Sequence, residues 1–263
     1  MTSPGAIAFQ FGPFVIRWYG ILMATAIVVG LWLGHRQARR EGLPAEDFIS
    51  VAQWSILAGL VGARIYEVIF NWDYYGQYPS KIIAVWEGGL AIHGGLIAGV
   101  IVGLWLAHWW RLPILRCLDV AAPSTAIGQA IGRWGNFFNE EAFGGPTDLP
   151  WKLFISQLHR PPEYVDVQFF HPTFLYESLW DLGVFLLLWF GLRRRIERAP
   201  SALFLAYLGL YSIGRFWVEG LRTDSLMLGP LRIAQVVSVL GVVLAAVGLP
   251  LVLRRHPARE EAP

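Results

Sequence analysis

The chain has 263 residues, of which 55% are apolar and only 15% charged, with a formal net charge of +2. A water-soluble domain carries about 25% charged residues, so this composition, with 13 tryptophans and 16 phenylalanines, excludes an ordinary soluble globule and points to a polytopic membrane protein. The single cysteine, Cys117, excludes an intrachain disulfide framework, and the scattered histidines form no Cys/His cluster with ligand spacing, so neither a metal nor a cofactor is expected.

A helix needs roughly 20 apolar residues to cross the hydrocarbon core. Seven such segments are predicted in chain order, near 15–34, 48–70, 88–110, 119–138, 173–191, 201–221 and 231–253. The N-terminal run lacks a short apolar core followed by a small-residue cleavage site, so it is expected to stay as an anchor. Pro123 and a polar motif shorten the fourth span. Pro172 and Pro200 stand just before the fifth and sixth, where proline suits a helix start. The expectation is an all-α polytopic membrane protein: one transmembrane domain over 1–263, with residues 139–172 as a small outer cap.

The connections set direction. HRQARREG (35–42), RLPILR (111–116), RRRIER (193–198) and the tail RRHPARE (254–260) are dense in arginine, whereas the opposite set is poor in it. Basic connections stay in the cytoplasm, which predicts an outside N-terminus and a cytoplasmic C-terminus. With that direction, Tyr19, Arg64, Glu67, His93, Arg133, Asn136, Asn139, Glu140, Glu141, His171, Glu177, Tyr211, Arg215, Glu219 and Arg222 all fall toward the outer face. His35, His108, His159 and His256 show no convergent partners in the sequence, and Cys117 falls at the cytoplasmic end of the fourth span.

A charge near the bilayer centre costs roughly 2.5–3.5 kcal/mol on insertion scales, so such groups need partners or a function. Arg64 and Glu67 are three apart and Arg215 and Glu219 four apart, spacings that share a helix face. Glycine precedes arginine at 62–64, 132–133 and 214–215, which allows close helix approach beside each cation. Arginines that outnumber committed carboxylates at one depth suggest an anionic ligand, and guanidinium grips phosphate bidentately. The anion available there is a phospholipid head group. A transporter for an anionic solute is the rival reading, because intramembrane Arg and Glu also mark transport sites.

The densest polar stretch is GRWGNFFNEEAFGG (132–145). Gly132-Arg133-x-Gly135-Asn136-Phe137-x-Asn139-x-Glu141-x-x-Gly144 resembles the signature of the phosphatidylglycerol–prolipoprotein diacylglyceryl transferase family. Arg17-Trp18-Tyr19-Gly20, His93-Gly94-Gly95, His171-Pro172-Thr173-x-x-Tyr176-Glu177 and Tyr211-x-x-x-Arg215-x-x-x-Glu219-x-x-Arg222 extend the resemblance over most of the chain. Phe170 before His171-Pro172 and Gly145 after Gly144 depart from the pattern, where relatives often carry arginine.

The resemblance implies transfer of the diacylglyceryl group of phosphatidylglycerol to the lipobox cysteine thiol of a prolipoprotein, giving a thioether and glycerol 1-phosphate, the first step of lipoprotein maturation. It implies His93, Arg133 and Arg215 as catalytic residues. Tyr19, Asn136, Asn139, Glu141, Gly144, Tyr211, Glu219 and Arg222 are expected to bind substrate, with Arg222 and Arg64 as weaker phosphate ligands. The partners implied are phosphatidylglycerol, the prolipoprotein signal peptide and membrane lipids; no nucleic acid is expected.

Overall fold

A computed structural model describes residues 1–12, 14–196 and 199–256. The chain is mostly helical, but three two-stranded antiparallel ribbons interrupt the all-α expectation: Ile7–Phe11 with Phe14–Arg17, Leu153–Phe154 with Phe169–Phe170, and Met227–Leu228 with Leu231–Arg232. The first ribbon leads into helix Trp18–Arg40 and the other two lie in connections, where backbone groups need partners that no helix supplies.

Among the described residues, five helices are long and apolar enough to cross a membrane: Trp18–Arg40, Ala45–Phe70, Ile92–Trp109, Thr173–Ile196 and Ile233–Arg255. Their large side chains face outward. Leu96, Ile101, Val237 and Leu244, for example, are exposed, the inverse of a water-soluble protein and the arrangement expected where lipid is the solvent. The other two predicted spans are helices Ile114–Gly132 and Ala202–Leu221, of 19 and 20 residues. They carry buried polar groups in place of part of the apolar run, including Asp119 on the first and Ser212 and Glu219 on the second.

The chain separates into two compact units, Gly34–Cys117 and the combination of Met1–Leu33 with Leu118–Pro263. In the first unit, helices Ala45–Phe70 and Ile92–Trp109 pack at small residues. A Cβ on Gly62 would overlap Ala98 and stand 2.7 Å from the Gly94 carbonyl, and a Cβ on Gly94 would strike the Gly62 carbonyl and Tyr66. Backbones can approach this closely only without side chains between them.

The connection between these two helices is held by Arg64. Its Nε donates to Ile82 O at 2.9 Å, its Nη1 to Gly88 O and Gly89 O at 2.7 and 2.6 Å, and its Nη2 to Lys81 O; the guanidinium also lies 5.0 Å over the Tyr75 ring. Arg64 is therefore a loop anchor. It pairs with carbonyls rather than with Glu67, whose carboxylate accepts from Asn71.

In the second unit, small and apolar side chains of three helices form one core: Ala122 and Ala126, Val184 and Leu188, Leu203 and Ala206. Helix Ala202–Leu221 is clamped at both ends. Asp119, buried on helix Ile114–Gly132, accepts from Ser201 N at 2.7 Å and Phe204 N at 2.8 Å, so a carboxylate borrowed from another helix satisfies the N-terminal donors. At the other end the Arg232 guanidinium donates to Glu219 O and to Arg222 O, placing a cation on the C-terminal carbonyls.

Segment 139–172 builds a small lobe with its own core of Phe143, Leu153, Ile155 and Phe170, closed from below by Phe174. The N-terminal residues join it: Thr2 pairs with Phe154 as a parallel bridge, and Phe154 N donates to Met1 O at 2.8 Å.

Candidate active site

Two arginines from different elements meet on one carboxylate. Arg133, at the N-terminal boundary of the short helix Trp134–Asn139, places Nε 2.6 Å from Glu177 Oε2. Arg215, on helix Ala202–Leu221, places Nη1 2.5 Å from Glu177 Oε1, and its Nη2 lies 2.5 Å from Glu219 Oε2. The last contact is close in charge but not aligned as a hydrogen bond. Arg215 and Glu219 pair because a four-residue step on a helix returns to the same face.

Glu177 and Glu219 are almost fully buried, whereas Arg133 and Arg215 keep 21% and 17% of their side-chain surface accessible. The carboxylates are the more deeply buried members of the cluster, and the guanidinium groups keep its accessible surface. A third acid, Asp181, lies one turn beyond Glu177 with a buried Oδ2 that has no partner, within electrostatic reach of both arginines.

This corrects one expectation. Cations do not outnumber carboxylates in the cluster: Glu177, Glu219 and Asp181 face Arg133 and Arg215. What remains available is geometry rather than surplus charge. Among the described residues, no hydrogen bond occupies Nη1 or Nη2 of Arg133. Helix Thr173–Ile196 supplies two of the three acids, Glu177 and Asp181; the sequence places Glu177 by its depth and its motif, but not as the shared partner of both arginines.

The glycines beside the arginines serve different ends. Gly214 leaves room for Trp180, whose Nε1 donates to Leu210 O at 2.9 Å, whereas a Cβ on Gly132 would meet nothing within 4 Å. At Gly135 an added Cβ would overlap the ring of Tyr19, so that ring lies directly on the motif's backbone. Tyr19 thereby stands within electrostatic reach of Glu141 and Arg133.

Downstream, the motif turns sharply. Glu140 and Ala142 take left-handed backbone angles, φ 52° and 56°. The reversal brings Glu141 Oε1 to Asn136 Nδ2 at 2.9 Å and to Asn139 Nδ2 at 3.4 Å. The two amides, three apart on one helix, converge on a single exposed carboxylate. Gly144 then passes between strands of backbone: its N donates to His171 O at 2.9 Å, and an added Cβ would stand 2.8 Å from His171 Cβ and 3.0 Å from Leu221 O. No larger residue fits there without moving that backbone.

Gly144 also bridges to Arg222, whose guanidinium grips Asp224 bidentately at 2.9 and 2.7 Å. Burial alone would raise the Asp224 carboxyl, but Arg222 holds it below its ordinary value. Tyr211 stacks on Tyr207 with ring centroids 5.8 Å apart. His93 opens helix Ile92–Trp109 in the Gly34–Cys117 unit, exposed, with its ring 6.1 Å from that of Tyr66.

Two histidines without sequence-visible partners have them in space. His159 Nδ1 lies 2.9 Å from Glu140 Oε2 and 2.9 Å from Ser156 Oγ, and His35 Nε2 lies 3.0 Å from Glu46. Glu140 also accepts from Ser156 N at 2.9 Å. Burial alone would raise the Glu140 carboxyl; the hydrogen bonds from Ser156 and His159 outweigh it and hold the group below its usual range.

Comparison with known proteins matches residues 6–251 to the family model described as prolipoprotein diacylglyceryl transferase. The chain is 50% identical over 267 residues to the phosphatidylglycerol–prolipoprotein diacylglyceryl transferase of Nostoc sp., covering 100% of this chain and 94% of that protein. It is 50% identical over 261 residues to the protein of the same name from Trichormus variabilis, covering 97% and 93%. It is 47% identical over 263 residues to that from Gloeobacter violaceus, covering 100% and 97%. All three carry a transferase name, so the transporter reading gains no support from them.

Proposed function

The chain belongs to the prolipoprotein diacylglyceryl transferase family, and on that premise we propose that it moves the diacylglyceryl group of phosphatidylglycerol onto the lipobox cysteine of a prolipoprotein at the Arg133–Glu177–Arg215 cluster. The observation that carries this reading is the shared carboxylate. Glu177 holds two guanidinium groups at a common point while leaving the outer donors of Arg133 open.

The reaction displaces a phosphate ester from carbon. The thiol gives up its proton to a base, and its sulfur forms a bond to the terminal glyceryl carbon. The C–O bond to phosphate breaks, and its electron pair leaves with glycerol 1-phosphate. Charge grows on the phosphate oxygens as that bond breaks. Donors fixed at that position contribute about 3–4 kcal/mol each by comparison with oxyanion holes. Arg133 and Arg215 fill that role, pre-set by Glu177 and Glu219 so that little reorganisation accompanies the step.

A free thiol has a pKa of about 8.5, so a base or a cationic setting is needed to raise its thiolate fraction at neutral pH. His93 is the base we favour on the sequence resemblance, since an imidazole ordinarily titrates near 6.5. Tyr19, Asn136, Asn139, Glu141 and Tyr211 hold head-group oxygens. Gly144 and Arg222 shape the wall, with Arg222 committed to Asp224.

We read residues 1–263 as one transmembrane domain with seven spans in the bacterial inner membrane. The N-terminus is outside, the C-terminus cytoplasmic, and the 139–172 lobe is an outer cap. Five apolar helices and the arginine-rich connections support this. So does the burial of polar groups on Ile114–Gly132 and Ala202–Leu221, which lets these helices lie inside a bundle. The deciding experiment is the full-length protein with labelled phosphatidylglycerol and a lipobox peptide, followed by mass analysis. A diacylglyceryl adduct on the cysteine is expected, and an unmodified peptide would overturn the reading.

A further inference from the structure

The 139–172 lobe, together with Gly5, Ala6 and Arg17 and the turn at Thr223 and Asp224, lines an open cavity of about 720 Å³, most of whose wall the chemistry above does not use. Ligand-binding clefts commonly run from about 300 to 1,000 Å³. Asn139 and Glu141, read above as head-group ligands, also stand in the wall of this cavity. It extends from there to the Glu140–Ser156–His159 cluster on one side and to Thr223 and Asp224 on the other.

Its charge makes a phosphate a poor occupant. The wall carries Glu140, Glu141 and Asp224 beside Arg17, Arg160 and His159, and the acids are already engaged: Asp224 by Arg222, Glu140 by Ser156 and His159, and Glu141 by Asn136. Arg160 is committed elsewhere, donating to Ile155 O at 2.9 Å and Val165 O at 2.8 Å. The remaining wall is mixed: Phe138, Phe143 and Ala6 give it apolar surface, and Leu158 stands at its edge with 94% of its surface exposed. Hydrogen-bonding groups interleaved with apolar surface, without net positive charge, suit a neutral, extended polypeptide.

We propose that this cavity receives the prolipoprotein segment that follows the lipobox cysteine. The inference rests on the transferase reading and on the outward direction of the lobe. The apolar part of a signal peptide stays in the bilayer, so a cysteine delivered to Arg133 and Arg215 leaves the chain after it to continue into the aqueous phase. Asn139 and Glu141 belong both to the cavity wall and to the motif that carries Arg133. At about 3.3 Å per extended residue, a handful of residues beyond the cysteine span such a cavity.

The test uses the full-length protein in nanodiscs containing phosphatidylglycerol. Two lipobox peptides are compared, one ending in an amide at the cysteine and one continuing for about five neutral polar residues at ~3.3 Å each. The longer peptide is expected to show a KM lower by about tenfold. Two substitutions, Leu158→Asp at the exposed rim and Ala6→Trp to fill the space, are each expected to abolish that advantage while the short peptide reacts as with the unaltered protein. Equal KM values for the two peptides would overturn the proposal, as would an advantage that survives both substitutions. Lipidation of neither peptide would instead bring down the transferase reading on which the proposal rests.

Discussion

Arg133 and Arg215 lie on separate elements, yet they approach opposite oxygens of one carboxylate, Nε to Oε2 at 2.6 Å and Nη1 to Oε1 at 2.5 Å of Glu177. Two like charges held this close would repel without the acid between them. Glu177 thus sets the separation at which two guanidinium groups can meet a second anion on their open side.

Glu177→Gln keeps the shape of this side chain and removes its charge. Transfer is expected to fall by about 10²–10³-fold, the scale seen when one fixed donor of a charged transition state is lost. The loss should appear in kcat more than in KM, measured with labelled phosphatidylglycerol and a lipobox peptide. Unchanged kcat would separate Glu177 from the chemistry.

Arg133→Lys preserves one positive charge but not the planar fork. The reading of Arg133 as a bidentate phosphate ligand requires transfer to drop by at least about tenfold, since truncating a charge-assisted pair costs more than a neutral bond. Unaltered rates with lysine would mean that a point charge suffices.

His93→Ala is expected to reduce transfer by about 10²–10⁴-fold, the usual range for removing a general base, with normal membrane insertion. The distinguishing readout is chemical rescue. The base reading predicts that added imidazole restores part of the lost rate, whereas the loss of a purely lipid-orienting histidine would not be rescued.

Gly135→Ala places a methyl group on the Tyr19 ring. Overpacking of this kind costs about 1–3 kcal/mol, readable as a lower thermal midpoint in detergent. Adding Tyr19→Ala should restore the midpoint without restoring transfer. If the double variant stays as unstable as the single one, the clash lies elsewhere.

Glu140→Gln tests the lobe. The folded carboxyl lies below its ordinary value of 4.5, so its contribution to stability is present above that value. It is lost as pH falls through the lower folded value. The substitution should therefore destabilise by about 1 kcal/mol near neutral pH and progressively less as pH drops below about 4.5. Chemical unfolding at both pH values provides the check, and a difference that grows on acidification would reverse the sign.

Much of the candidate site was legible because membrane sequences are read by exception. Lipid penalises every charge, so Arg133, Arg215 and Glu219 stood out from apolar surroundings, and the four-residue step from Arg215 to Glu219 foretold their pairing. Arg64 stood out equally but bonds to loop carbonyls, because helix spacing says which residues can meet and not whether a nearby loop will offer better acceptors. His159 gives no such signal, because Glu140 reaches it only through the reversal at the left-handed residues Glu140 and Ala142 and the folding of the lobe that follows.

The amino-acid sequence by itself determined the solvent this protein lives in, the position of its helices and the kinds of group reserved for chemistry, since hydropathy and charge are properties of local stretches. Only the tertiary structure decided that Glu177 joins the two arginines, that Asp119 closes the end of a helix over eighty residues away in the chain, and that the first residues complete a lobe built from the middle of the chain. Each of these depends on which surfaces pack together. Side chains distant along the polypeptide become partners only when the burial of their helices leaves them no water to turn to.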